Sequence, residues 1–156
     1  MLAALIRKRF EGDTQAHIRM SDPFDRATTT TVQTGVTAEE LDHHLAGKTR
    51  IGFFPFIERT DYCKYVVWDV DTGQWGHVLG LITVLDDMRL PYLIETSKSR
   101  GFHVWVFCDG IPAEKLRRIG LWVIREAGLV GLVSEVFPKQ SMPQHNGNAI
   151  WCPLFA

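Results

Sequence analysis

Cysteines, long apolar runs and excess charge are all scarce in this sequence. Its three cysteines, Cys63, Cys108 and Cys152, are odd in number and form no CxxC pair, which argues against a disulfide framework and against a structural zinc site. No apolar run approaches the roughly 18 residues of a membrane span. The apolar start is too short for a secretory signal, and its basic residues follow the apolar stretch. We therefore expect a short N-terminal helix, reduced cysteines, no membrane association and a cytoplasmic location.

Whole-chain charge carries no information about partners. The sequence has 17 basic and 18 acidic residues and a net charge of −1, so any claim of nucleic-acid binding has to rest on a local basic patch. Hydrophobic residues make up 46% of the 156 residues. That is enough to bury the core of one domain with, at most, a small additional module.

The first 50 residues predict an accessory module of mixed α/β structure. Residues 11–35 are polar and rich in threonine, which is typical of a β-ribbon or a mobile arm. Thr37 and Glu40 have the spacing of a capping box, so we predict a helix over residues 38–46 that ends near Gly47. We expect the adjacent His43 and His44 to be solvated.

From residue 50 onward the hydrophobic pattern alternates between strand and helix periods. Strands are predicted over residues 51–56, 65–70, 91–96, 102–108, 131–137 and 149–155, and helices over 74–89 and 112–128. From residue 64 the order is β-α-β-β-α-β, the split β-α-β arrangement of RRM-like folds. We predict an α+β protein with an accessory module over residues 1–50 and an RRM-like core over residues 51–156.

Two acidic residues end the most apolar predicted strand. Successive side chains of a strand point to opposite faces, so Val67, Asp69 and Asp71 share one face. Two neighbouring carboxylates repel unless a proton or a cation lies between them, and Mg²⁺ prefers such oxygen ligands. The alternative is a strand end that runs into a turn, because Asp71 is followed by Thr72 and Gly73.

A histidine follows a loop suited to phosphate. His103 lies on the strand after Ser97, Lys98, Ser99 and Arg100, whose hydroxyls and cations can contact an anion while Gly101 permits close backbone approach. Taken alone, a strand histidine is more often structural, and a basic loop is more often simply solvated.

A third acidic position comes near the end of the chain. Glu135 lies at the end of a predicted strand and could add a third carboxylate near Asp69 and Asp71. Lys139 would then place a cation near bound phosphates. The alternative is an edge strand that stops at Pro138, with Glu135 and Lys139 in solvent.

Taken together and in order, these segments resemble the catalytic core of the archaeo-eukaryotic primase superfamily, and most closely the primase-like domain of TOTE-type conflict systems and mobile elements. The resemblance rests on the segments Gly52–Phe56, Trp68–Asp71, Glu95–Trp105, Pro112–Ala113 with Arg117–Arg118, Glu135–Gln140 and Gly147–Phe155.

The resemblance implies a role for each matching residue. Asp69, Asp71 and Glu135 match the acids that hold two Mg²⁺ or Mn²⁺ ions, and His103 matches the histidine that contacts the nucleotide phosphates. The remaining nucleotide-binding positions are Ser97, Lys98, Ser99, Arg100, Lys139 and Asn148.

The implied activity is template-directed nucleotidyl transfer by a primase or primase-polymerase. Its partners would be a single-stranded DNA template and NTPs or dNTPs, with a separate helicase or replication protein as a further candidate. Two alternatives stay open: an RRM-like module that binds nucleic acid without chemistry, and a metal-dependent hydrolase of phosphodiesters or nucleotides.

Overall fold

The structure is a computed structural model that describes residues 2–97, 101–133, 135–142 and 145–155. Within these ranges the helices are α1 (Leu2–Phe10), α2 (Ala38–Leu45), α3 (Trp75–Asp87) and α4 (Ala113–Glu126). The strands are β1 (His17–Met20), β2 (Thr29–Val32), β3 (Arg50–Phe53), β4 (Tyr62–Val70), β5 (Leu93–Thr96), β6 (Phe102–Pro112), β7 (Glu135–Phe137) and β8 (Ile150–Trp151). In the described part of the chain, no helix has both the length and the apolarity needed to cross a bilayer.

The later elements form an antiparallel sheet in the order β5-β6-β4-β7, which we call the acidic sheet because its strands carry the predicted acids. Helices α3 and α4 connect β4 to β5 and β6 to β7. The predicted β-α-β-β-α-β order is therefore confirmed, and with it the α+β class. Strand β4 is central and pairs with both β6 and β7.

Strand alternation explains why β4 is central. Val66, Trp68 and Val70 belong to a core that α3 and α4 cover. Tyr65 and Val67 belong to a second core on the opposite face, with residues of α1, α2 and β3. A strand that is apolar on both faces is buried on both faces, so only its ends can carry charge at low cost.

The second sheet has the order β2-β1-β3-β8, and we call it the N-terminal sheet. Strands β1 and β2 pair His17 with Val32 and Met20 with Thr29, so the threonine-rich segment is a β-ribbon. Strand β1 also pairs with β3, which crosses the predicted boundary at residue 50. The division into a module over 1–50 and a core over 51–156 stays a prediction.

The predicted start of α2 is confirmed in detail. The Thr37 hydroxyl accepts a hydrogen bond from the Glu40 amide at 3.2 Å, and the Glu40 carboxylate accepts one from the Thr37 amide at 2.9 Å. The expectation of a solvated His44 was wrong. Its ring is buried, accepts from the Ile51 amide at 3.2 Å and donates to the Pro153 carbonyl at 3.0 Å. Burial lowers the pKa of His44, so this ring is a neutral structural link between α2, β3 and the chain end.

Four predicted strands are shorter in the structure, and the last two of them contract the most. The segment predicted as a strand over residues 131–137 has a turn first, with Gly131 at φ 80°, and β7 begins at Glu135. Glu135 therefore starts a strand, where we expected it to end one. The last predicted strand contracts to Ile150–Trp151, which pairs with β3 in the N-terminal sheet.

Substituting Gly120 tests the packing of α4 on the acidic sheet. A Cβ at Gly120 would lie 2.5 Å from Val136 Cγ1 and 3.1 Å from Val66 Cγ2. We expect Gly120→Ala to lower the free energy of unfolding by roughly 1–3 kcal/mol because of overpacking, as measured by urea denaturation.

Gly76 in α3 is the matched control, because a Cβ there would meet nothing within 4 Å. Gly76→Ala should be neutral or stabilising by up to about 1 kcal/mol, since alanine favours helix. Equal effects of the two substitutions would contradict the close packing of α4.

Candidate active site

Four titratable side chains form a row across the acidic sheet. Strand pairing sets Glu95 of β5 opposite His103 of β6, His103 opposite Asp69 of β4, and Asp69 opposite Glu135 of β7. Residues directly opposite each other in an antiparallel pair project from the same face with Cβ atoms about 5 Å apart. We call Glu95, His103, Asp69 and Glu135 the cross-strand row.

His103 is held in the row from both sides. Its Nδ1 donates a short hydrogen bond to the Glu95 carboxylate, and its Nε2 lies 3.5 Å from Asp69 Oδ1. The side chains of His103, Glu95 and Asp69 are only 8%, 14% and 16% exposed. The carboxylate of Glu95 thus fixes the ring orientation and leaves Nε2 on the side of Asp69.

Asp71 lies just past the end of β4, beside the hairpin that joins β5 to β6. A Cβ on Gly101 would lie 2.6 Å from the Val70 carbonyl oxygen and 3.1 Å from Asp71 Cα, so only glycine lets this hairpin lie so close to the strand end. The Ser97 amide donates to the Gly101 carbonyl at 2.8 Å. Ser97 therefore lies next to Asp71, while the predicted phosphate residues Lys98, Ser99 and Arg100 lie outside the described residues.

The electrostatics of the row show crowded negative charge. Burial raises the pKa of Asp69 to about 6; the nearby His103 opposes this, and the charges of Asp71 and Glu135 add to it. Burial alone would lower the pKa of His103, but its hydrogen bond and charge interaction with Glu95, together with Asp69 and Asp71, raise it above the ordinary value. The raised pKa of His103 indicates a site that attracts positive charge.

Lys139 supplies one cation at the far end of the row. Its Nζ lies 2.5 Å from Glu135 Oε1 and 4.9 Å from the centre of the Phe137 ring. Its predicted role near bound phosphates stays a prediction. Asn148 is exposed and does not appear among the described residues that line the cleft beside the row, so its role stays a prediction.

The row forms one wall of a cleft of about 770 Å³, and the N-terminal sheet and the segments next to it form the other. The opposite wall is cationic and aromatic. Arg50 lies with its guanidinium 4.8 Å from the centre of the Phe155 ring and 5.8 Å from that of Trp151. Arg26 and Phe24, from the tip of the β1–β2 ribbon, also line the cleft.

Sequence reasoning missed Glu95, Arg50 and Arg26 as site residues. Glu95 could have been found by counting along the two neighbouring predicted strands: Ser97 pairs with Gly101, so residue 95 lies opposite residue 103. No local signal identifies Arg50, because its place in the cleft depends on how the two sheets face each other.

The residues present fit a divalent cation through the Asp69–Asp71 pair. No group of three or more His, Cys, Asp or Glu side chains converges as a ready-made metal cage in the described ranges. Mg²⁺ and Mn²⁺, however, are usually held by one or two carboxylates together with substrate phosphates. Burial, with a smaller contribution from the charges of Asp71 and Glu135, raises the pKa of Asp69, and a bound cation would favour its ionised form. Glu135 would have to leave Lys139 to become a third ligand.

Replacing Asp69 by asparagine should stabilise the fold in a pH-dependent way. The pKa of Asp69 is about 6 in the fold and 3.8 ordinarily, so ionising Asp69 destabilises the fold. This loss of stability is complete above pH 6 and absent below about pH 4. Asp69→Asn should raise the free energy of unfolding by about 1–3 kcal/mol at pH 7.5 and by almost nothing at pH 4. Urea denaturation at both values checks this. The exposed Asp109→Asn serves as the control, and a gain equal at both pH values would contradict the electrostatic origin.

Comparison with known proteins identifies the family. No curated protein matches the chain. The family model described as "TOTE conflict system, Archaeo-Eukaryotic Primase domain" matches residues 14–156, which include both sheets, the cross-strand row and the cleft. The resemblance inferred from the sequence motifs is therefore confirmed. The chain belongs to the archaeo-eukaryotic primase domain family of TOTE conflict systems, a family of primase-like nucleotidyltransferases that act on nucleotides and nucleic acid.

Proposed function

We propose that this domain is a metal-dependent, template-directed nucleotidyltransferase that makes or extends primers on single-stranded DNA. The observation that carries the proposal is the cleft with two unlike walls. The wall formed by the acidic sheet holds Asp69, Asp71 and Glu135, and the facing wall holds Arg50 and Arg26. A nucleoside triphosphate with its cation needs carboxylates on one side and cations on the other.

Asp69, Asp71 and, once separated from Lys139, Glu135 are the residues that would hold Mg²⁺ or Mn²⁺. When bound, the divalent ions supply charge neutralisation for the triphosphate and help to ionise the attacking 3′-hydroxyl. The side chains of the site position the substrate. His103, held by Glu95, has its Nε2 3.5 Å from Asp69 Oδ1, and in the protonated ring, which the raised pKa of His103 favours, this nitrogen can donate to a phosphate oxygen.

The cations complete the binding of phosphate. Lys139 at one end of the row and Arg50 on the facing wall lie on opposite sides of the acids, so a polyphosphate between them is neutralised from both directions. Ser97 extends the same lining toward the predicted loop residues Lys98, Ser99 and Arg100. Catalysis would then depend mainly on alignment and on fixed charge.

Primer extension by the double variant Asp69→Ala/Asp71→Ala tests the proposed chemistry. The wild type should lengthen a labelled primer on a single-stranded template with NTPs or dNTPs and Mg²⁺ or Mn²⁺, and the variant should be at least about 100-fold slower because the ion-holding carboxylates are gone. Asp109→Asn, exposed and outside the cleft lining, is the matched control and should retain activity. A parallel reaction without primer measures de novo priming.

Each alternative has its own result in this assay. Template binding that is unchanged in the double variant, with no extension by the wild type, would replace the proposal with a non-catalytic binding module. Shortened strands or released nucleoside monophosphates would replace it with a hydrolase.

Thermal unfolding with added metal tests the ion site without a reaction. At a concentration 100 times its Kd, a bound ion stabilises the fold by about 2.7 kcal/mol, which corresponds to a rise in Tm of roughly 5–10 °C for a domain of this size. We expect MgCl2 or MnCl2 to raise the Tm of the wild type, but not that of Asp69→Asn/Asp71→Asn. KCl at matched ionic strength is the control, and an equal rise in both proteins would show that the ion binds elsewhere.

A further inference from the structure

The tip of the β1–β2 ribbon presents an aromatic side chain at the rim of the cleft. Phe24 is 85% exposed, although an aromatic ring of this size is usually buried. It lines the same cleft as Asp69 and Asp71. The side chains of Asp69 and His103 are only 16% and 8% exposed, so they lie deeper in the cleft than Phe24, which lies at its rim.

The tip is ordered by its own polar side chains. Asp22 Oδ1 accepts from the Phe24 amide at 2.9 Å, and Asp25 Oδ1 accepts from the Ala27 amide at 2.9 Å. The Thr28 hydroxyl donates to the Asp25 carbonyl at 2.7 Å and accepts from the Asp22 amide at 3.0 Å. The turn is therefore preorganised with Phe24 outward, which reduces the entropic cost of binding a ligand there.

Two arginines accompany this aromatic ring. Arg26 is exposed in the same tip, and Arg50 lies deeper on the same wall between the Trp151 and Phe155 rings. Burial lowers the pKa of Arg50, Glu95 opposes this, and the charge of Arg26 lowers the pKa further. Two like charges on one wall favour an anionic ligand. Aromatic rings interleaved with cations are typical of single-strand binding, in which bases stack and phosphates are neutralised.

We propose that the ribbon tip binds the single-stranded nucleic acid on its way into the cleft, with one base stacked on Phe24 and a neighbouring phosphate on Arg26. A lone nucleotide is the poorer occupant, because its triphosphate has to reach the deeper Asp69 while Phe24 lies at the rim. The inference rests on the proposed function in that the strand is its template.

Binding of a fluorescent 20-nucleotide dT strand, measured by anisotropy with the full chain in EDTA and without nucleotide, tests the role of Phe24. Phe24→Ala should bind roughly 5- to 100-fold more weakly, the usual effect of losing one stacked base, and Phe24→Tyr should bind within about twofold of the wild type because it keeps the ring. Val130→Ala is the matched control, since Val130 is 71% exposed in the turn after α4 and outside the cleft. An unchanged Tm of each variant verifies folding.

Two further measurements separate stacking from charge. With an abasic strand, the difference between Phe24→Ala and the wild type should disappear. Arg26→Ala should reduce the slope of log K against log salt by about 0.7, the value of one phosphate contact in single strands. Arg125→Ala, on α4 with a side chain 70% exposed, should leave the slope unchanged.

The outcomes distinguish this inference from the proposed function. Weak binding by Phe24→Ala supports the inference even if the wild type extends no primer. Normal binding by Phe24→Ala overturns it even if the wild type is an active polymerase. Self-association of the chain that Phe24→Ala abolishes, with strand binding unchanged, would overturn it too and assign the ring to a contact between copies.

Discussion

The pairing of β4 with both of its neighbours is the constraint on which the site depends. Backbone hydrogen bonds set Asp69 between His103 and Glu135, and the side chains cannot move apart without breaking the register. Ionising Asp69 there is unfavourable, as its pKa of about 6 indicates. The apolar residues of β4 stabilise this arrangement, because Trp68 and Val67 are fully buried in the cores on its two faces. The cores thus hold in place a charged row that would separate if the strands were free.

The two sheets divide the chemistry between them. The acidic sheet contributes carboxylates and a histidine whose orientation is fixed by Glu95, whereas the wall beside the N-terminal sheet contributes arginines and aromatic rings. The short strand β8 pairs with β3, and its residues also line the cleft. His44 of α2 holds these two strands together. One of its ring nitrogens accepts from the Ile51 amide in β3, and the other donates to the Pro153 carbonyl just after β8. A residue that we expected in solvent is therefore one of the contacts that hold the second wall.

Sequence reasoning succeeded where the cause of structure is local. Alternation in β4 placed Asp69 on the face opposite Trp68, and the spacing of Thr37 and Glu40 identified the start of α2. It failed where the cause is the meeting of distant segments. Arg50 is one polar residue at the start of a strand, and nothing nearby in sequence indicates that it faces Glu95 across a cleft. The same limit applied to His44, whose partner Pro153 is 109 positions away.

The cleft brings together three features that suit the proposed substrates. Like-charged carboxylates lie around Asp69, two arginines share the facing wall, and the ring of Phe24 projects from the rim. Under the proposed function, a cation would lie between the acids, phosphates against Arg50 and a base on Phe24. A ligand that combines metal-bound triphosphate with a nucleic-acid strand is the chemistry that satisfies them together. In the proposed function, these features are the protein's half of a charge distribution that its substrates complete.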